Sequence, residues 1–178
     1  MIISVTELQT YPEFSGLNAD QLQIKLNAIE QLIRKYTNNN FQNRYIRFLA
    51  SSSFDENGYY LNAVSPFLVD GDTVQISRSE VNDGLYVVTM LNDKTKVDKS
   101  LFAVEKNLVT KIEYPDDIKA GVINLLKWEL NNREKVGIKQ ETLSRHSVTY
   151  YDQDANNQVM GYPVSLLGFL EPYKKARF

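Results

Sequence analysis

The stretch "LVTKIEYPDDIKAGVINLLKWEL", residues 108–130, contains the change of period that decides the fold. Its first part, residues 108–114, alternates apolar and polar side chains as a half-buried β-strand does. After Pro115 the apolar residues recur at helical steps, and Asp116 and Asp117 suit a helix start because the helix dipole favours negative charge there. The apolar stripe consists of Ile118, Val122, Leu125 and Leu126. The chain therefore passes here from a β region into a helical one.

The residues before this stretch continue the β pattern. "TVQIS" at 73–77 alternates in the same way, and three further stretches are rich in β-forming residues. These are "YYLNAV" at 59–64, "LYVVTML" at 85–91 and "LFAV" at 101–104. Turn signals separate them, namely "DENG" at 55–58, "VDGD" at 69–72, "VNDG" at 81–84 and "LNDK" at 91–94. About five or six short strands predict a small antiparallel, barrel-like β module over residues 45–112.

The start of the chain is predicted to be helical. Ser4 and Glu7 have the spacing of a capping box, which indicates a short first helix. A longer helix follows Asn18, a favoured N-cap residue, and ends at "TNNN", residues 37–40. Its apolar stripe consists of Leu22, Leu26, Ile29, Ile33 and Tyr36. Ile24 lies on the opposite face, where it is either an isolated surface residue or a contact with another subunit.

The helical stripes at the two ends of the chain are one-sided and too short to be stable alone. We therefore expect residues 1–44 and 113–178 to form one small helical bundle, with residues 45–112 inserted as the β module, in an α+β fold. A last short helix is predicted to begin at Pro163 and to end before Pro172. Its apolar residues point in nearly every direction, which predicts burial. The tip, "EPYKKARF" at 171–178, is too polar for a core. From the residues alone it is either a docking segment for a partner protein, since aromatic and arginine side chains are common interface anchors, or a solvated, frayed end.

The composition excludes several kinds of chemistry. The 178 residues include no cysteine and a single histidine, His146, which excludes thiol catalysis and a zinc site with the usual ligands. The sequence contains no glycine-rich phosphate loop. The net charge of −2 gives no basic field for nucleic acid, and no apolar run is long enough to predict a membrane span. We therefore expect no cofactor, no bound metal, no membrane contact and no enzymatic activity.

Two other functions stay open from the residues alone. The β module could recognise a carbohydrate or another host-surface ligand, with Tyr59, Tyr60 and Tyr86 as outward aromatic residues. Carboxylates are plentiful, so a two-acid hydrolase that acts on cell-wall material is a further alternative.

Three regions outside the β module carry a family resemblance. They are "IISVTELQTYPEF…LIRKYTNNNF" near the start, "PDDIKAGVINLLKWEL" in the middle and "ETLSRHSVTYYD…GYPVSLLGFLEPYKKARF" at the end. Together they resemble the head–tail connector proteins of tailed bacteriophages, which are also called adaptor or head-completion proteins. The inserted module at 45–112 departs from small members of that family, which join their two helical regions by a short loop.

The resemblance implies a structural virion protein, made in the bacterial host cytoplasm and placed at the head–tail junction. Such proteins form a homo-oligomeric ring, typically a dodecamer, beneath the portal protein and bind a stopper or tail-completion protein. The ring extends the channel through which DNA passes without specific binding. Family members can be monomers before docking, and their C-terminal segments can rearrange to grip the portal or a neighbouring subunit.

Carried onto this chain, the resemblance places docking residues in two segments, 144–151 and 172–178. The residues expected to dock are Ser144, His146, Val148, Tyr150, Pro172, Tyr173, Lys174, Lys175, Arg177 and Phe178. Ile24 is the candidate contact between subunits.

Overall fold

A computed structural model describes residues 1–132, 140–143, 146–149, 158–159 and 161–176 of the chain. The chain divides into two compact units. Unit 1 consists of Met1 and Asn40–Tyr114, and unit 2 consists of Ile2–Asn39 and Pro115–Phe178.

Unit 1 is a closed barrel of six strands, in the order β1-β2-β5-β4-β3-β6 around the barrel. The strands are β1 (Gln42–Asp55), β2 (Gly58–Leu61), β3 (Thr73–Ser77), β4 (Gly84–Met90), β5 (Thr95–Val97) and β6 (Val104–Ile112). Every neighbouring pair is antiparallel. Closure leaves none of these strands with an open edge. The predicted small antiparallel barrel is therefore confirmed.

The two ends of unit 1 lie side by side. Gln42 at the start of β1 pairs with Ile112 at the end of β6. Just outside this pair, the Glu113 amide donates to the Phe41 carbonyl oxygen at 2.9 Å. The rings of Phe41 and Tyr114 are 4.8 Å apart between centroids. The first and last residues of the barrel unit thus lie next to each other.

The longest strand, β1, was not recognised in the sequence. Its register with β6 shifts between Asn43, which pairs with Lys111, and Arg47, which pairs with Thr110. Residues 44–46 are therefore inserted in β1 as a bulge, which puts the side chains on either side of it out of phase. The alternation that identifies a strand is lost there, and the β region begins before residue 45.

A buried polar network explains why the predicted strand "LFAV" forms only in part. Val104 belongs to β6, whereas residues 101–103 are not in a strand. The Phe102 amide donates to the side-chain oxygen of Asn82 at 2.8 Å, and the Asn82 side chain donates to the Phe102 carbonyl oxygen at 2.9 Å. Ser52 and Asn107 complete the network, with the Ser52 hydroxyl donating to the Phe102 carbonyl oxygen at 2.7 Å and Asn82 donating to Asn107 at 3.2 Å. The backbone of Phe102 therefore makes its hydrogen bonds with side chains rather than with a neighbouring strand.

Unit 2 is a mixed unit of helices and short strands. Its described helices are α1 (Val5–Leu8), α2 (Ala19–Thr37), α3 (Asp116–Asn132) and a 3-10 helix (Val164–Tyr173). Its described strands are β7 (Gln140–Leu143), β8 (His146–Thr149), β9 (Gln158–Val159) and β10 (Tyr162–Pro163), which form the antiparallel pairs β7–β8 and β9–β10.

The start of unit 2 forms as the sequence predicts. The Ser4 hydroxyl accepts the Glu7 amide at 3.1 Å, and the Asn18 side chain accepts the Gln21 amide at 3.1 Å, so both N-caps are confirmed. The apolar stripe of α2 is buried at Leu22, Leu26, Ile29 and Ile33, and Tyr36 is half-buried. Ile24 is 67% exposed, which confirms that it lies away from the core.

The last helix differs from its prediction in type and in length. It is a 3-10 helix that continues through Pro172 to Tyr173 instead of ending before Pro172. Proline removes one donor but fixes φ in the helical range, so a short helix can include it near its end. Leu167 and Leu170 are buried, whereas Val164 is exposed, so this helix is buried on one side only. On that side the Phe169 ring packs directly on the α3 backbone at Gly121, where a Cβ atom would overlap the ring.

Gly121→Ala should destabilise the protein. The overlap with Phe169 should cost about 1–3 kcal/mol through overpacking. This exceeds the gain of at most about 1 kcal/mol that alanine brings to a helix interior. The free energy of unfolding is measured by urea titration. Gly168→Ala is the matched control, because a Cβ atom at Gly168 meets nothing within 4 Å. Equal stability of the two variants would contradict the packing of Phe169 on Gly121.

Candidate interaction site

The terminal segment, residues 171–176, lies against the C-terminal end of α2. The Lys175 amide donates to the Thr37 carbonyl oxygen at 2.8 Å. The side chain of Asn38 donates to the Ala176 carbonyl oxygen at 2.9 Å, and that of Asn39 donates to the Tyr173 carbonyl oxygen at 3.2 Å. The segment expected to dock on a partner is therefore bound to its own unit.

The polar run "TNNN" explains why the segment binds at this place. Asn38 ends α2 in the left-handed conformation, at φ 50°, which asparagine tolerates better than most residues. A helix end leaves its last carbonyl groups without helical partners. The Lys175 amide supplies one such partner, to Thr37, and the two asparagine side chains hold the backbone of the terminal segment. The asparagine residues that end α2 therefore also bind the terminal segment.

Tyr173 links the terminal segment to the first turn of α3. Its hydroxyl donates to the two carboxylate oxygens of Asp117 at 2.8 and 2.7 Å. This hydrogen bond raises the pKa of Tyr173 above its ordinary value, because ionisation would remove the donated proton. Asp117, expected only as a helix-start charge, therefore also positions the terminal segment.

Two side chains of the segment, Glu171 and Lys174, form a small polar group with Tyr36 of α2. The Lys174 ammonium donates to Glu171 at 2.7 Å and to the Tyr36 hydroxyl at 3.0 Å, and it lies 4.2 Å from the centroid of the Tyr36 ring. The hydrogen bond with Glu171 raises the pKa of Lys174. The same bond lowers the pKa of Glu171. Because Lys174 and Glu171 are exposed, their ion pair is individually weak.

The structure brings together four of the expected docking residues: Pro172, Tyr173, Lys174 and Lys175. His146 and Val148 lie on β8, where their backbones pair with Leu143 and Glu141 of β7. Ile24 lies on the exposed face of α2. Four expected residues fall outside the described part of the chain, namely Ser144, Tyr150, Arg177 and Phe178.

The described residues give no indication of a metal site or of a membrane span. Among them, no group of three or more His, Asp or Glu side chains could hold a metal ion, and no helix is long and apolar enough to cross a membrane. Unit 2 contains a small pocket of about 60 Å³ beside the ion pair of Lys25 and Glu129. Small-molecule sites commonly measure roughly 300–1,000 Å³, so this pocket is too small for such a ligand.

Two of the three tyrosines expected to face outward on the β module are buried, so the prediction is wrong for them. Tyr60 is 4% exposed and Tyr86 is 7% exposed, so both are buried, and Tyr59 is half-buried. Neighbouring strand residues point to opposite sides, and here Tyr60 is the inward one. The large exposed aromatic residues of the barrel unit are Tyr45, Phe54, Phe67 and Phe102. Tyr45 lies in the bulge of β1, where the alternation that would mark an outward residue is lost.

Comparison with known proteins assigns no family. No protein-family model matches the chain, and no curated protein matches it.

Lys174→Met should raise the pKa of Glu171 toward its ordinary value, because the lysine hydrogen bond is the main cause of its lowering. The pKa is measured by NMR titration of the side-chain carboxyl groups. A carboxylate whose folded pKa is lowered contributes stability above its unfolded pKa and loses it as the pH falls through the folded pKa. Glu171 also accepts a hydrogen bond from the Tyr36 hydroxyl of α2 at 3.1 Å. The terminal segment should therefore loosen on acidification, and it should loosen less in the variant.

A second ion pair provides a control in which each lysine substitution should affect only its own glutamate. Lys127 contacts Glu13 at 2.6 Å, and this hydrogen bond lowers the pKa of Glu13. Lys127→Met should raise the pKa of Glu13 and leave that of Glu171 unchanged, and Lys174→Met should do the reverse. If Glu171 titrated identically with and without Lys174, the contact between the two would be refuted.

Proposed function

We propose that this protein is a head–tail connector of a tailed bacteriophage. In this role it forms a ring beneath the portal protein, extends the DNA channel and links the head to a stopper or tail protein. The observation that carries the proposal is the distribution of the resemblance along the chain. The segments that resemble connectors fall almost entirely in unit 2, whereas the inserted residues form the barrel of unit 1.

In this proposal the helices of unit 2 form the helical bundle of the connector. Contacts between its terminal regions support that arrangement. Lys25 of α2 binds Glu129 of α3, and Phe169 of the 3-10 helix packs on Gly121 of α3. The Tyr162 hydroxyl donates to Glu129 at 2.7 Å. The barrel is then an additional module carried between α2 and α3.

The terminal segment is the proposed docking element for the portal or a neighbouring subunit. Its contacts with α2 and Asp117 are polar, and residues 174–176 are exposed. A partner that supplies equivalent hydrogen bonds can replace such contacts at little net cost, because exchanging one hydrogen bond for an equivalent one changes the free energy little. In a ring, repetition of a modest contact gives high total affinity.

The charge of the chain is compatible with a channel role. A net charge of −2 gives little general attraction for the DNA backbone, so DNA could pass without being held. We expect no cofactor and no catalytic activity. Zymography on cell-wall material tests the hydrolase alternative, which a clear band would support.

A second candidate function is recognition of a host-surface ligand by the barrel. The observation that favours it is the set of exposed aromatic residues, above all Tyr45, which is 100% exposed. Exposed aromatic residues are common at binding surfaces. Saturable binding on a glycan array that is lost when residues 45–112 are deleted would favour this function.

Immunogold electron microscopy of phage particles, with an antibody against residues 45–112, is expected to place the protein at the head–tail junction. Gold at the tail tip would instead support the host-recognition function. Unlabelled particles would rule out both, provided that the antibody detects the protein in the lysate.

Lys175→Glu should weaken binding of the purified protein to heads that contain the portal, measured by co-sedimentation. The substitution reverses an exposed charge in the proposed docking element. Lys106→Glu is the matched control, because it makes the same change at an exposed residue of β6 and should leave binding unchanged. If both variants bound the heads equally well, the terminal segment would not be the docking element.

A further inference from the structure

The exposed face of α2 carries no charged residue over about three helical turns. Gln21, Ile24, Ala28 and Gln31 follow one another at helical spacing, and all are exposed. Asn27 lies beside them and is also exposed and uncharged. At about 100° per residue these positions form one arc around Ile24, opposite the buried stripe.

The composition of this face differs from that of the chain as a whole. Charged residues make up 24% of the chain, and a helix face in water normally carries several of them. The centre of a protein interface, by contrast, is depleted in charge. Ile24, at the centre of the arc, is 67% exposed. The face therefore has the composition of a contact surface.

The order of residues on the face is self-complementary. If a second α2 packs antiparallel, with the two-fold axis near position 26, Ile24 of each copy meets Ala28 of the other. The small alanine leaves room for the larger isoleucine. Gln21 of each copy meets Gln31 of the other, where the amide groups can donate to and accept from each other. A two-fold interface requires a patch that complements itself in this way.

The charges at the ends of the face select the antiparallel direction. Asp20 precedes the face and Lys35 follows it, and both are exposed. Antiparallel packing places Asp20 of one copy toward Lys35 of the other, whereas parallel packing would bring like charges together. A nucleic acid or an anionic membrane would find no basic residue within the face to bind.

We infer that this face of α2 is a two-fold contact through which two copies of the free protein associate. A single helix pair buries less than the roughly 1,200 Å² of a stable interface, so the dimer should be weak and reversible. A two-fold contact closes on itself and cannot extend into a ring. The inference is therefore independent of the connector proposal and does not fail with it.

Sedimentation equilibrium of the full chain over a range of concentrations tests the association. We expect a monomer–dimer equilibrium and a dissociation constant raised by at least about tenfold in Ile24→Asp, because a charge then lies at the centre of the contact. Ala28→Arg should have a similar effect by filling the space for Ile24. Val64→Asp, at an exposed valine of unit 1, is the matched control. Urea unfolding confirms that each variant is folded.

Cysteine cross-linking tests the direction of packing, since the natural chain contains no cysteine. Ile24→Cys and Ala28→Cys proteins are mixed and mildly oxidised. Antiparallel packing should give the mixed disulfide well above the half that random pairing produces, because only that pair comes within bonding distance. A random mixture, a preference for identical pairs, or a protein that stays monomeric at the highest concentration reached would overturn the inference.

Discussion

The pairing of β1 with β6 is the constraint on which the rest of the structure depends. An inserted module must return the chain to its point of departure, and the pair Gln42–Ile112 does this at the base of the barrel. The contact between the rings of Phe41 and Tyr114 reinforces the junction. Because the two ends of the insertion meet, α2 and α3 can belong to one unit although the whole barrel separates them in sequence.

The sequence predicted those elements whose signals are local. The caps at Ser4 and Asn18, the buried stripe of α2 and the strand β3 each depend on residues within a few positions of one another. The barrel was predictable for the same reason, since alternating strands and turn residues repeat along 45–112. The strand β1 was not, because its bulge breaks the alternation and its partner lies far along the chain.

The sequence predicted where the candidate site lies along the chain, but not which contacts its residues make. The contrast between an apolar helix and the basic tip after it identified the terminal segment, but nothing local shows that Asn38 and Asn39 would bind it. Those hydrogen bonds join residues 138 and 134 positions apart. The burial of Tyr60 and Tyr86 was not predictable for a different reason. Alternation predicts that one of two neighbouring residues points inward, but it does not say which one.

The polar network around Asn82 has a consequence for how the barrel can change over evolutionary time. Asn82, Asn107 and Ser52 are buried and satisfy one another and the backbone of Phe102. Replacing one of them alone would leave buried polar atoms without a partner, which costs more than the lost bond itself. Positions 52, 82 and 107 should therefore co-vary among descendants of this chain, with compatible polar triplets or wholly apolar ones replacing each other as sets.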